Sequence, residues 1–234
     1  MKITKLLSPL IVILLFGACQ SNEKKAEKLI SDYMFKHLHD FKSYEVVETK
    51  VDTLYDTPLF DKQCIDAALR KLEHAEKAEE FKANADHDER IMDIWKGSYY
   101  SRNEYKKAAK SYLENRSEQF AEEAEAAKEW KEIYRRSQEL SGKEQLGWVV
   151  IHSYRSNTKG GNTVLGEKVF LMDTKFKNIM DSYDGDDDDV IDAVKEIRSI
   201  INDPSCNEAT LDTLIASYIR LSQKTRDQIT KLKL

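Results

Sequence analysis

Residues 147–173, GWVVIHSYRSNTKGGNTVLGEKVFLMD, decide the fold class. The runs 147–154 and 163–173 have strand length and are rich in β-branched and aromatic residues. Between them, Lys159-Gly-Gly-Asn162 is turn chemistry that supplies positive backbone angles. An antiparallel hairpin with a somewhat long loop follows. Immediately upstream, residues 101–141 contain no glycine or proline, so a single helix of ~60 Å can run there at 1.5 Å per residue. Long helix and hairpin side by side make the chain α+β, a small antiparallel sheet of about three strands packed on helices, with an inserted long helical hairpin.

Working outward, residues 44–54 (YEVVETKVDTL) alternate as a first strand, with Val47, Thr49 and Val51 on one face and Val46, Glu48 and Lys50 on the other. The three strands then span 44–55, 146–156 and 163–173, and residues 174–179 add at most a turn and a short strand end. The hairpin insert occupies about 58–141. Thr57-Pro58 reads as an N-cap followed by proline at the first helical position. Ile65, Ala68, Leu69, Leu72, Ala75 and Phe81 form the first arm's apolar stripe, which weakens over 84–89 and predicts a break near Ala85. Ser101-Arg-Asn-Glu104 reads as a capping box for the second arm, whose stripe is alanine and aromatic rather than a strict heptad. Such a stripe suits antiparallel packing within the hairpin. A helix over 26–40 precedes the sheet, and a helix pair at about 187–232, broken at Asp203-Pro204, follows it. One domain over 26–234 is the expected organisation.

Composition narrows the function. Of 234 residues, 41% are hydrophobic and 34% charged, with eight glycines and three prolines, a helix-rich balance. At the N-terminus, Lys2 and Lys5 precede an apolar run over 6–16 that is too short to span a bilayer, and Gly17-Ala18 lead into Cys19. This pattern reads as a bacterial lipoprotein signal over 1–18, with lipid on Cys19 and a polar tether over 19–25. Removing 1–18 deletes Lys2 and Lys5 and no acid, which moves the formal charge from −5 to −7. An acidic chain of mixed sign lacks the basic face that nucleic acid demands. Cys64 and Cys206 remain as a pair that an envelope compartment permits to join as a disulfide; two separately buried thiols are the alternative.

The hairpin also carries a resemblance. Gly147-Trp148, His152-Ser-Tyr154-Arg155, Asn157 and Gly161, followed by Val169-Phe170-Leu171-Met172-Asp173, form a pattern similar to one in uncharacterised small lipoproteins of Bacteroidetes. Leu38-His-Asp-Phe-Lys-Ser43-Tyr44-Glu45 resembles the helix end of the same proteins, with Phe41 where proline is common. The likeness covers 26–55 and 146–180. It implies an envelope location and brings no activity with it.

Candidate chemistry is sparse. His152 and Tyr154 share one strand face, and Arg155 and Asn157 share the other. This polar group is the candidate ligand-binding set, against the alternative that it ties the hairpin to its neighbours. No histidine is paired by motif with a nucleophile, so no catalytic residue is assigned. No metal ligand or cofactor is assigned either. The run Asp184-Gly-Asp-Asp-Asp-Asp189 lacks the closing glutamate of a calcium loop and suits a helix start. His37 and His39 are two residues apart, so their rings leave a helix on different faces. His87 lacks zinc spacing, and Tyr99, Tyr100, Tyr105 and Tyr112 fit core packing better than sugar stacking. The resulting expectation is a lipid-anchored envelope protein, outer membrane facing the periplasm, that binds an envelope protein partner without catalysis. A small-ligand binder or hydrolase with a pocket near 147–173 is the alternative.

Overall fold

The structure is a computed structural model that describes residues 21–97 and 101–232. The signal over 1–18, Cys19, Tyr99 and Tyr100 lie outside the described residues. In chain order the elements are helix α1 (Asn22–His37), a 3-10 turn (Phe41–Ser43), strand β1 (Glu45–Tyr55), helices α2 (Lys62–Trp95) and α3 (Arg102–Glu139), strands β2 (Gln145–Asn157), β3 (Thr163–Asp173) and β4 (Ile179–Asp184), and helices α4 (Asp188–Asn202) and α5 (Glu208–Lys231). The fold is α+β, and its antiparallel sheet has four strands in the order β1-β2-β3-β4, one more than expected.

Where one domain is expected, the chain divides into two compact units. The sheet unit takes the described part of Met1–Asp56 together with Lys143–Asp187, and the helical unit takes Thr57–Gly142 and Asp188–Leu234. The insert is long enough, with the C-terminal pair, to bury a core of its own.

In the sheet unit, Ser21 caps α1 through its hydroxyl, which accepts from the Lys24 amide (3.4 Å). Helix therefore begins inside the expected tether, and Glu23-Lys-Lys25 are helical. Ala26, Ile30 and Met34 lie at four-residue steps on one stripe and are fully buried against Val150, Tyr154, Phe170 and Met172. The opposite sheet face buries Leu54, Val149 and Leu171. Expected alternation holds along β1 for Thr49 and Val51, but a bulge between Val46 and Glu48 takes Val47 out of the ladder and leaves it exposed. Gly166 stands opposite Tyr154, and a Cβ there would meet the phenol ring at 2.7 Å. Glycine is what lets that ring lie across the strand. The two ends of the insert are held together where the Asp56 amide donates to the Glu144 carbonyl (3.0 Å) and the Glu144 amide donates to Asp56 Oδ1 (2.8 Å).

β4 follows a turn over 174–178, where the sequence predicts at most a turn and a short strand end. Asp173 Oδ1 accepts from the amides of Lys175 (2.9 Å) and Lys177 (3.0 Å), and Oδ2 accepts from the Asn178 side chain. Phe176 adopts a positive φ of 53° and stacks on Trp148 (5.4 Å between centroids).

The helical unit starts later than expected. Pro58 sits in a turn, and Asp61 is the N-cap, accepting from the Cys64 amide (3.1 Å) while pairing with Arg136 (2.8 Å). Burial pushes the Asp61 carboxyl upward, but the Arg136 guanidinium and the Cys64 amide outweigh it and hold the group below the usual range. The expected break near Ala85 does not occur. Helix α2 runs unbroken for 34 residues, Ala85 is fully buried, and Asn115 of α3 donates to Asp88 (2.9 Å) across the hairpin. Ser101 is the N-cap residue of α3, while Glu104 turns forward to Lys107 (3.0 Å). The arms of the hairpin bury mostly small side chains, Cys64, Ala67, Ala68, Ala78 and Ala85 on α2 and Ala108, Ala109, Ala124 and Ala127 on α3, with Ile65 and Ile133 as larger members. α5 meets α3 as closely, with Ser222 Oγ donating to the Ser117 carbonyl (3.0 Å) and Arg226 Nε donating to Ser117 Oγ (3.0 Å).

Candidate functional site

The four hairpin residues do not form one site. His152 is fully buried on the α1 side of β2. Its Nε2 lies 2.7 Å from the Tyr44 hydroxyl and its Nδ1 lies 3.0 Å from Thr49 Oγ1, so both ring nitrogens are satisfied. A neutral ring suits this pairing, one nitrogen donating and the other accepting. Burial lowers its pKa to about 4, so the ring is uncharged at neutral pH. Tyr154 stacks beside it (5.9 Å between centroids) and is itself buried. Tyr44 lies near both rings, and burial, followed by the charge of Glu27, pushes its phenol up to about 12.

Arg155 is exposed on the opposite face, 4.0 Å from Glu45. Asn157 fastens the strand end to the 3-10 turn. Its amide donates to Ser43 Oγ (2.8 Å), and its side-chain carbonyl accepts from Thr163 (2.9 Å). The candidate ligand set therefore resolves into a buried, bonded pair, a surface ion pair and a loop clasp. This division follows the two strand faces that the sequence assigns to these residues. Their bonds run to β1, to β3 and to the segment around the 3-10 turn.

The other singled-out residues are likewise dispersed. His37 Nδ1 lies 2.7 Å from the Tyr33 carbonyl and its ring stacks on Tyr33 at 3.8 Å, while His39 is exposed. His87 is exposed on α2, and Tyr105 and Tyr112 are half-buried on α3. Among the described residues no group of three or more His, Cys, Asp or Glu is gathered around a common point. Cys64 and Cys206 do not join: both are free thiols, Cys64 buried and Cys206 half-buried. Burial, with Asp61 beside it, pushes the Cys64 thiol up to about 12, so it is inert as a nucleophile. No described helix is long and apolar enough to cross a membrane.

An open concavity lies in the helical unit. A groove of about 220 Å³ runs over Ala126 and Ala127 of α3, between Ala75, Ala78 and Glu79 of α2 and Leu214 and Tyr218 of α5. Alanine on both arms of the hairpin is what leaves the trough, because no longer side chain fills it. Trp130 and Lys71 close one end, with the Lys71 ammonium 5.5 Å from the indole centroid and paired to Glu196 of α4. Glu123 lines the groove, and its carboxylate accepts from the Gln119 side-chain amide (2.7 Å). Burial and then the Glu123 charge raise the Tyr218 pKa, which keeps that hydroxyl protonated. Glu123 and Lys71 carry no sequence motif that marks them. The one local signal was the alanine content of both stripes.

No family model, curated protein or solved structure matches the chain.

Proposed function

We propose that the chain is a lipid-anchored protein of the bacterial cell envelope, held through Cys19 on the periplasmic side of the outer membrane, that binds a protein partner without catalysing a reaction. The anchor half rests on residues 1–19 and on the resemblance to small lipoproteins of Bacteroidetes. Helix α1 begins at Asn22, so only about two residues separate Cys19 from folded structure. A tether that short keeps the body against the membrane surface.

The observation that carries the binding half is the open, alanine-floored groove of the helical unit, set against a His152 cluster whose polar groups are already bonded to each other. Interfaces concentrate their energy in small, aromatic-walled pockets of this kind. The anchor is tested by metabolic labelling with an alkynyl palmitate in a bacterial host. Wild-type chain takes the label and sediments with membranes, and Cys19→Ala loses both; label retained in the variant contradicts it. Binding is tested by pull-down from detergent-solubilised envelopes at native expression. A specific partner that is lost on Ala126→Leu supports it, and no specific partner overturns it.

A further inference from the structure

The groove over α3 differs from an ordinary apolar notch in its charge. Three ionisable side chains other than Tyr218 line it: Lys71, Glu79 and Glu123. Lys71 is neutralised by Glu196, and Glu79 holds the Lys82 ammonium at 3.1 Å on the exposed side of α2. Among the described residues the hydrogen-bond partner of Glu123 is a neutral amide, so its charge is carried by the groove itself. Beside it stand the rings of Tyr218 and Trp130. Lys71 already demonstrates that the Trp130 ring accepts an ammonium.

Size selects among ligands. About 220 Å³ falls below the roughly 300–1,000 Å³ of sites that enclose whole small molecules. It suits a single inserted side chain. The Trp130 indole N–H is buried with no acceptor among the described residues, so no hydrogen bond at that nitrogen fixes the ring.

We infer that this groove is the anchor point for a lysine or arginine side chain presented by the partner protein, its apolar stem lying over Ala126 and Ala127 and its cationic head between Glu123 and the ring of Tyr218. Long cationic side chains have this split character, an apolar stem and a charged tip. The inference rests on the protein-binding reading above and names the chemistry the partner must offer.

The test follows the indole N–H resonance of Trp130 in the full chain during titration with end-blocked tripeptides Gly-X-Gly, where X is Lys, Arg, Leu or Glu. The lysine and arginine peptides shift the resonance with millimolar affinity, about tenfold tighter than the leucine peptide. Glu123→Gln weakens them by about tenfold, and added salt weakens them further. Ala126→Leu, which fills the floor without touching a charge, abolishes the shift while the circular dichroism melting curve is retained. Equal shifts from the leucine peptide, a shift from the glutamate peptide, or no shift from any of the four overturns the inference. Each of those outcomes is separable from failure of the broader reading, which palmitate labelling and envelope pull-down decide on their own.

Discussion

The two units differ in the side chains that bring their longest elements together. The sheet unit uses large side chains: Phe170, Met172, Ile30 and Met34 are fully buried, and the polar residue among them, His152, is bonded at both nitrogens. The helical unit brings its arms together mostly on alanines, with cysteine, serine and the larger Ile65 and Ile133 among them. Large residues fill space and leave a closed core. Small residues allow close helix approach, but they leave space where no longer side chain reaches. The groove at Ala75, Ala78, Ala126 and Ala127 is that space. The sheet unit has the richer polar cluster, and the helical unit has the accessible one.

The largest effect that would sharpen this contrast is Phe170→Ala. It empties the sheet core and costs about 3–5 kcal/mol in chemical denaturation. A loss below about 1 kcal/mol breaks the picture of a tightly filled core. Next comes acid. His152 has a folded pKa of about 4 against an ordinary 6.5, so the unfolded chain binds the proton more readily between those values. Its contribution is fully present above pH 6.5 and declines as pH falls toward 4, by at most roughly 3 kcal/mol. The denaturant midpoint followed over pH 7 to about 4 shows this decline in wild type, and His152→Gln, which cannot titrate, lacks that part of the slope.

Smaller effects separate filled from unfilled alanines. Ala68 is fully buried between helices, so Ala68→Leu overpacks the hairpin and costs about 1–3 kcal/mol. Ala126→Leu, on the groove floor, changes stability by no more than about 0.5 kcal/mol. Equal penalties at the two positions would mean that the trough is already filled. The least effect is at the surface: Glu73 pairs with Lys77 at 2.6 Å with both side chains exposed, and Glu73→Gln leaves the thermal midpoint unchanged.

Much of this was legible in the sequence. Local signals located the β2–β3 hairpin, both arms of the insert and the C-terminal pair, because each has a clear period or a glycine stop. Gly142, at φ 67°, does follow α3 closely. What escaped depends on distant partners. β4 lacks alternation of its own and is organised by Asp173 and by Phe176 stacking on Trp148. The polar stretch 84–89 stays helical because Ala85 and Asp88 face the other arm. At Thr57-Pro58 a plausible start signal loses to Asp61, whose carboxylate serves both the Cys64 amide and Arg136. The hairpin polar set was found, but strand alternation splits it between faces. The groove needed residues from three helices, more than 40 positions apart along the chain, and no short-range pattern joins Ala78, Glu123 and Tyr218.

The proposed division of labour gives the His152 cluster the sheet unit's packing and the groove beside Trp130 the binding. The most direct test is a chemical-shift map of the full chain titrated with the end-blocked lysine tripeptide. The account predicts perturbations gathered on Glu123, Ala126, Trp130 and Tyr218, with the Trp148 indole and the His152 ring unmoved. Perturbations gathered on Trp148, His152 and Tyr154, with Trp130 silent, would contradict it.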